Sequence, residues 1–218
     1  MVPILDVLLP PACAGCGSAG ALLCASCIHR LRTASDPGVR FVAPDPSVAI
    51  GQDLALAVAA FAFEGPIRRA LARLKYEGAW RLAWPLARAA MPVLRDILEV
   101  AGRAPLVPVP IHRGRLRARG YNQAELLARE LTSSMRLPLA DLLERVRPTT
   151  KQHRLDRAAR LANLRDAFAV RATVRSVPPV VIVVDDIVTT TATLEACASV
   201  LRAAGVSDVY GFALAREI

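Results

Sequence analysis

No apolar run in the 218 residues approaches the roughly 20 that a membrane-spanning helix needs. The longest, 54–63, suits a strand or a core segment. The start, M-V-P-I-L-D-V-L-L-P-P-A-C-A, has no basic n-region and carries Asp6 inside its apolar stretch. That is a poor fit to a secretory signal and leads us to expect a cytoplasmic protein with no membrane span. Aromatic residues make up 5% of the chain, which leaves little material for a run of base-stacking side chains. Trp80 and Trp84 are four apart, the spacing of one helix face, and are expected in core packing. Internal repeats and low-complexity tracts are absent. Negative charge is also short, with 19 Asp and Glu against 28 Lys and Arg for a net +9. The deficit is local: residues 103–175 hold 16 basic against 6 acidic side chains, and the remainder 12 against 13. A segment of that kind can serve nucleic acid, a polyphosphate substrate or an acidic partner, and charge alone does not choose among them.

A hydrophobic content of 54% is ample for a buried core, and the length suits one large domain or one domain with an appendage. Four of the five cysteines, Cys13, Cys16, Cys24 and Cys27, form C-x2-C-x7-C-x2-C in a segment too short to build its own apolar core. Two such knuckles can offer four thiolates to one tetrahedral zinc, whose binding replaces the missing core. The competing reading, a pair of disulfides, requires an oxidising compartment that the N-terminus does not support. A closed four-thiolate site is structural, and His29 just beyond it is read as a surface residue. The remaining thiol, Cys197, sits in an apolar helical stretch and reads as a buried small hydrophobe. Residues 35–53 are rich in Pro, Gly, Asp and Ser, as in a linker. The expected organisation is therefore a knuckle over 1–35, a linker over 36–53 and a main domain over 54–218.

Beyond residue 54, strand and helix patterns alternate. Strands are expected at 54–63, 106–110, 168–170, 180–184 and 208–214. Helices are expected after Glu64-Gly65-Pro66, over 82–98 with Pro85 and Pro92 as starts or kinks, over 124–132 and over 194–204. That alternation predicts a doubly wound parallel sheet. The most informative stretch is 178–194, P-P-V-V-I-V-V-D-D-I-V-T-T-T-A-T-L. A β-branched run buried on both faces leads to two carboxylates, Asp185 and Asp186, then to Thr189, Thr190, Thr191, Ala192 and Thr193, then to a helix. Hydroxyls and backbone N–H groups at a helix start cradle an anion, and adjacent acids suit sugar hydroxyls and magnesium. A plain buried strand with a Thr cap is the bland alternative. A second anion site is expected where L-V-P-V-P runs into the basic, glycine-containing loop I-H-R-G-R-L-R-A-R-G and the helix behind it. His112 in that loop is as well read as a surface residue as a ligand. Residues 147–165 are basic and interrupted, with the makings of a lid over an anionic ligand or of an ordinary exposed helix.

V-V-D-D-I-V-T-T-T-A-T-L resembles the phosphoribosyl-pyrophosphate (PRPP) loop of type I phosphoribosyltransferases, and in particular the version found in ComF-family competence proteins. The resemblance implies a sheet of that enzyme fold, Asp185 and Asp186 facing ribose hydroxyls with magnesium, and Thr189 to Thr193 holding a 5′-phosphate. Thr191 stands where the family usually has glycine, so its Cβ would crowd the phosphate or strain the turn. The stretch 108–126, P-V-P-I-H-R-G-R-L-R-A-R-G-Y-N-Q-A-E-L, is similar to the family's pyrophosphate-side loop, which implicates Arg115, Arg119 and Gly120. In the 147–165 stretch the same comparison selects Lys151, Gln152, Arg157, Arg160 and Arg165. With the four cysteines included, the resemblance covers nearly the whole chain and implies a part in DNA uptake during natural competence. Two functions remain open at this level. One is a phosphoribosyltransferase acting on PRPP or another phosphorylated ribose. The other is a non-catalytic module that keeps the pocket and engages single-stranded DNA or a DNA-uptake helicase through its arginines and zinc knuckle.

Overall fold

The computed structural model describes residues 10–33, 53–147 and 166–217. Most of the expected linker, and the stretch carrying Lys151, Gln152, Arg157, Arg160 and Arg165, lie outside them. In chain order the elements are α1 (Ala25–Thr33), β1 (Leu54–Ala62), α2 (Gly65–Tyr76), α3 (Ala83–Ala101), β2 (Leu106–Pro108), α4 (Arg113–Arg119), α5 (Gln123–Met135), β3 (Leu143–Arg145), β4 (Phe168–Val170), β5 (Val180–Val188), α6 (Ala192–Ala203) and β6 (Asp208–Arg216).

β1, β6, β5 and β2 form one parallel sheet in that order, and β3 pairs antiparallel with β4. The expected alternation of strand and helix is present, with helices on both faces of the sheet. Strand side chains alternate between faces, and β5 shows it. Ile182 and Val184 join the core made with α2, α3, α5 and the knuckle, while Val181 and Val183 join the core made with α6 and the β3–β4 hairpin. These four residues are fully buried, each worth roughly 1.5–3 kcal/mol. α6 lies so close to the sheet that a Cβ on Gly211 would come within 3.0 Å of both Ala57 and Leu194 side-chain carbons. A side chain there would have to displace one of them by a few tenths of an ångström.

Several elements differ from expectation. β5 continues through both aspartates to Val188 instead of ending before them. The basic loop after β2 is the helix α4, capped at its start by His112 Nδ1, which accepts from Gly114 N–H at 3.1 Å. His112 thus has a local structural task. Gly120 closes that helix at φ 86°, a left-handed conformation that suits glycine, with its N–H bonded to the Leu116 carbonyl at 2.7 Å. Pro85 lies in the first turn of α3, where no N–H is needed, and Pro92 lies inside it. The tryptophans are not core residues: Trp80 is 58% and Trp84 51% exposed. Leu82, Leu86, Ala90 and Leu94 fill the buried face of this segment, and the indoles fall on the other side.

The knuckle packs on the main domain. Cys13, Leu23, Cys27 and Leu31 belong to the same apolar cluster as α2 and α3, and Arg69 Nε donates to the Gly15 carbonyl at 2.6 Å.

Candidate functional site

In open parallel sheets, ligands bind outside the carboxyl ends of the strands. A cleft of about 680 Å³ opens there, beyond the ends of β2, β5 and β6. It gathers many of the residues singled out in the sequence: Asp185, Asp186, Thr189 and Thr193 from β5 and the turn after it, and Arg115 and Arg119 from α4. Thr190, Thr191, Ala192 and Gly120 do not line it.

Because β5 runs past both acids, Asp185 and Asp186 leave it toward opposite faces of the sheet. Asp186 turns to the last turn of α2, where its Oδ2 lies 2.8 Å from Lys75 Nζ. Asp185 turns toward α6 and the hairpin, within electrostatic reach of Cys197 and Arg145. Its Oδ1 accepts from the Asp186 N–H at 2.8 Å. Burial, and then the neighbouring Asp186 charge, push the Asp185 carboxyl up to about 7. One acid is thus neutralised by a lysine, while the other is held near its ionisation point. Cys197 is fully buried as expected, and burial raises its thiol well above the ordinary range.

The anion side combines backbone and side chains. α6 begins at Thr191 with no side-chain cap, so its first N–H groups have neither an intrahelical nor a capping acceptor among the described residues. Thr191 has φ −66° and ψ −4°, in the right-handed helical region open to any L-residue, so the expected strain is absent. Its hydroxyl is buried with no hydrogen-bond partner among the described residues. Across the cleft, Arg119 donates to Gln123 Oε1, and the Gln123 amide nitrogen is a buried donor with no partner among the described residues. Asn122 fixes this wall: its Oδ1 caps α5 through Ala124 N–H at 3.1 Å, and its Nδ2 donates to the Val109 carbonyl at 2.9 Å. The start of α5 is therefore already capped, and cationic attraction here comes from Arg115 and Arg119.

Sequence reasoning passed over Lys75, Tyr76, Gln123, Arg145 and Glu217, which also line the cleft. Arg119 lies over the Tyr76 ring, 5.6 Å from its centre. Burial, then the Arg115 charge, lower the proton affinity of Arg145. A lysine at the end of an amphipathic helix and an arginine in a three-residue strand carry no signal until the fold brings them to β5. Gln123 did have one, since it lies within the Y-N-Q-A stretch beside the predicted arginines.

Beside the start of α2, the ligand atoms of Cys13, Cys16, Cys24 and Cys27 lie within 4.8 Å of one another. Cys16 Sγ and Cys24 Sγ are 3.7 Å apart. That is too long for a disulfide, and it matches the edge of about 3.8 Å expected for a tetrahedron with zinc–sulfur bonds of about 2.3 Å. Backbone N–H groups of Gly15 and Cys24 donate to Cys13 Sγ at 3.4 and 3.3 Å, and Cys27 N–H donates to Cys24 Sγ at 3.4 Å. Against its burial, the bonds to Cys13 hold that thiol below the ordinary range, while burial pushes the Cys27 thiol up to about 12. The donor set and its spacing fit a structural zinc.

The fold and site define a class: a parallel α/β protein with a cleft at its strand ends lined by carboxylates and basic side chains, joined to a four-cysteine knuckle. No protein-family model matches the sequence. Competence protein F of Haemophilus influenzae is 32% identical over 156 residues, covering 69% of this chain and 68% of that protein. The DNA utilization protein YhgH of Salmonella typhi and that of Escherichia coli K12 are each 32% identical over 114 residues. Those matches cover 52% of this chain and 49% of the relative, so the chain spans about half the length of the YhgH proteins. The chain belongs to the competence protein F (ComF) family. No helix among the described residues is long and apolar enough to cross a membrane.

Proposed function

We propose that the cleft binds PRPP with magnesium and that the protein works in DNA uptake, a reading supported by relatives named for competence and for DNA utilization. What carries this reading is the convergence, at the strand ends, of Asp185 and Asp186, an uncapped helix start with its threonines, and Arg115 and Arg119. Thr189, Thr193 and the first N–H groups of α6 hold the 5′-phosphate. Asp185 accepts from a ribose hydroxyl, and Arg115, Arg119 and Gln123 donate to the pyrophosphate. Magnesium would be held by Asp185, whose carboxylate oxygens are hard ligands in the cleft lining, and it would offset the burial and the Asp186 charge that raise the acid's proton affinity. Bound with the ligand, magnesium would neutralise pyrophosphate oxygens as that group departs.

In the transferase form of this reading, the C1′–oxygen bond to pyrophosphate breaks with its electron pair staying on the leaving group. A lone pair from an amine or nucleobase nitrogen forms the new C1′ bond, and the nitrogen's proton goes to solvent. Asp185 opposes the positive charge that develops on the ribose. The partner class in this reading is single-stranded DNA or the helicase that handles it, of which the relatives' names supply only competence and DNA utilization.

Titration calorimetry with PRPP and magnesium tests the binding, followed by a screen for pyrophosphate release with nucleobases and amines. Saturable binding lost in Arg115→Ala/Arg119→Ala is the expected result. Absence of binding at millimolar PRPP would remove the reading, and binding without release would leave a sensor in place of a transferase.

A further inference from the structure

The chain has two tryptophans, and the fold leaves both in water. Trp84, Arg88 and Arg95 stand at i, i+4 and i+11 on α3, one stripe running about 16 Å along the helix. The Arg88 guanidinium lies over the Trp84 ring at 5.0 Å from its centre, while 51% of the residue remains exposed. Facing this stripe is the knuckle helix α1, and between them lies a groove of about 380 Å³. Leu23 and Ile28 give it an apolar wall, and Arg32 adds a third cation. Among the described residues no Asp or Glu lines it, and none of its lining is shared with the cleft at the strand ends.

An exposed indole already stacked against a guanidinium, set among further arginines and over an apolar wall, has the two elements of a single-strand site. One is a π-face for a base, and the other is a row of cations for the phosphates. A duplex offers no unpaired base face to the indole, so double-stranded nucleic acid satisfies only the cations. We propose that the groove between α1 and α3 binds single-stranded nucleic acid, with a base on Trp84 and successive phosphates on Arg88, Arg95 and Arg32. The knuckle then supplies one wall of a binding surface and is more than a fold staple. The proposal shares with the reading above only the association with DNA and does not depend on PRPP.

The full-length protein is titrated with a dT20 oligonucleotide while intrinsic tryptophan fluorescence is followed, since Trp80 and Trp84 are its only sources. Quenching should accompany binding. With three phosphates neutralised, log K should fall with log salt at a slope of about −2. Trp84→Ala should weaken binding about tenfold or more, as at other stacking rings, and Trp80→Phe should not. Because removing an indole can disturb a fold, Arg88→Glu/Arg95→Glu provides a second arm, on exposed side chains. It should abolish binding while leaving PRPP–magnesium calorimetry unchanged. An Arg113→Glu/Arg117→Glu variant tests the exposed basic helix α4 instead. If that variant loses the oligonucleotide and the groove variants keep it, the groove assignment is wrong though DNA binding stands. Equal affinity for a duplex of the same length, or tighter binding of an acidic polyglutamate peptide, also overturns the proposal.

Discussion

Replacing Asp185 by Asn should stabilise the ligand-free protein, and by an amount that depends on pH. Burial and the Asp186 charge hold the folded-state carboxyl near 7, against an ordinary value of 3.8. Below about pH 4 the acid is protonated in both the folded and unfolded chains and costs nothing. Between about 4 and 7 the unfolded chain ionises while the folded one resists, so stability falls as pH rises through that window. Above 7 the loss is complete. At about 1.4 kcal/mol for each pH unit the loss is at most about 4 kcal/mol, and solvent at the cleft mouth brings it nearer 2. For a chain of this length that is a gain of roughly 4 to 16 °C in melting temperature for the variant at pH 8. Asn keeps an Oδ1 to accept from the Asp186 N–H, so the hydrogen bond at 2.8 Å is retained and only the charge is removed. Glu195, which burial also pushes up to about 7, is common to both proteins and cancels in the difference. Urea or thermal melts of both proteins from pH 4 to 8 measure it. A stability difference that stays flat across that range, or a variant less stable than the parent at pH 8, would show that Asp185 is a structural acid and not a ligand-facing one.

Asp186→Asn should act in the opposite direction, costing about 1–3 kcal/mol at pH 7 by leaving the half-buried Lys75 without its counter-charge. Adding Lys75→Met should recover most of that loss in chemical denaturation, and failure to recover it would mean the ion pair is not the cause. The purified protein should carry about one zinc per chain. Chelation should then lower its melting temperature, and Cys13→Ser should do the same; an unchanged melt with metal removed would refute the knuckle reading. Thr191→Gly should destabilise by about 0.5–1 kcal/mol, because Thr191 occupies ordinary helical φ and glycine only adds freedom to the unfolded chain. Tighter PRPP binding by this variant, read by calorimetry, would mean that the Cβ crowds the ligand.

Much of the architecture was written locally. A β-branched run such as 180–184 can only be a buried strand in this setting, and the apolar spacing in 67–74 dictates which face of α2 turns inward. Two CxxC pairs seven residues apart determine that four sulfurs can meet, since the loop between them is short. The tertiary structure alone decided where individual side chains point. Asp185 and Asp186 look like a matched pair in sequence, but β5 continues through them, and the alternation of a strand sends one to Lys75 and the other toward α6. Lys75, Arg145 and Glu217 entered the cleft from elements far apart in the chain, and no spacing rule connects them. Trp80 and Trp84 have the spacing of a buried face and lie on an exposed one. Leucine and alanine at neighbouring positions already fill the inward side of that segment, and which stripe of a helix meets the core is set by what packs against it.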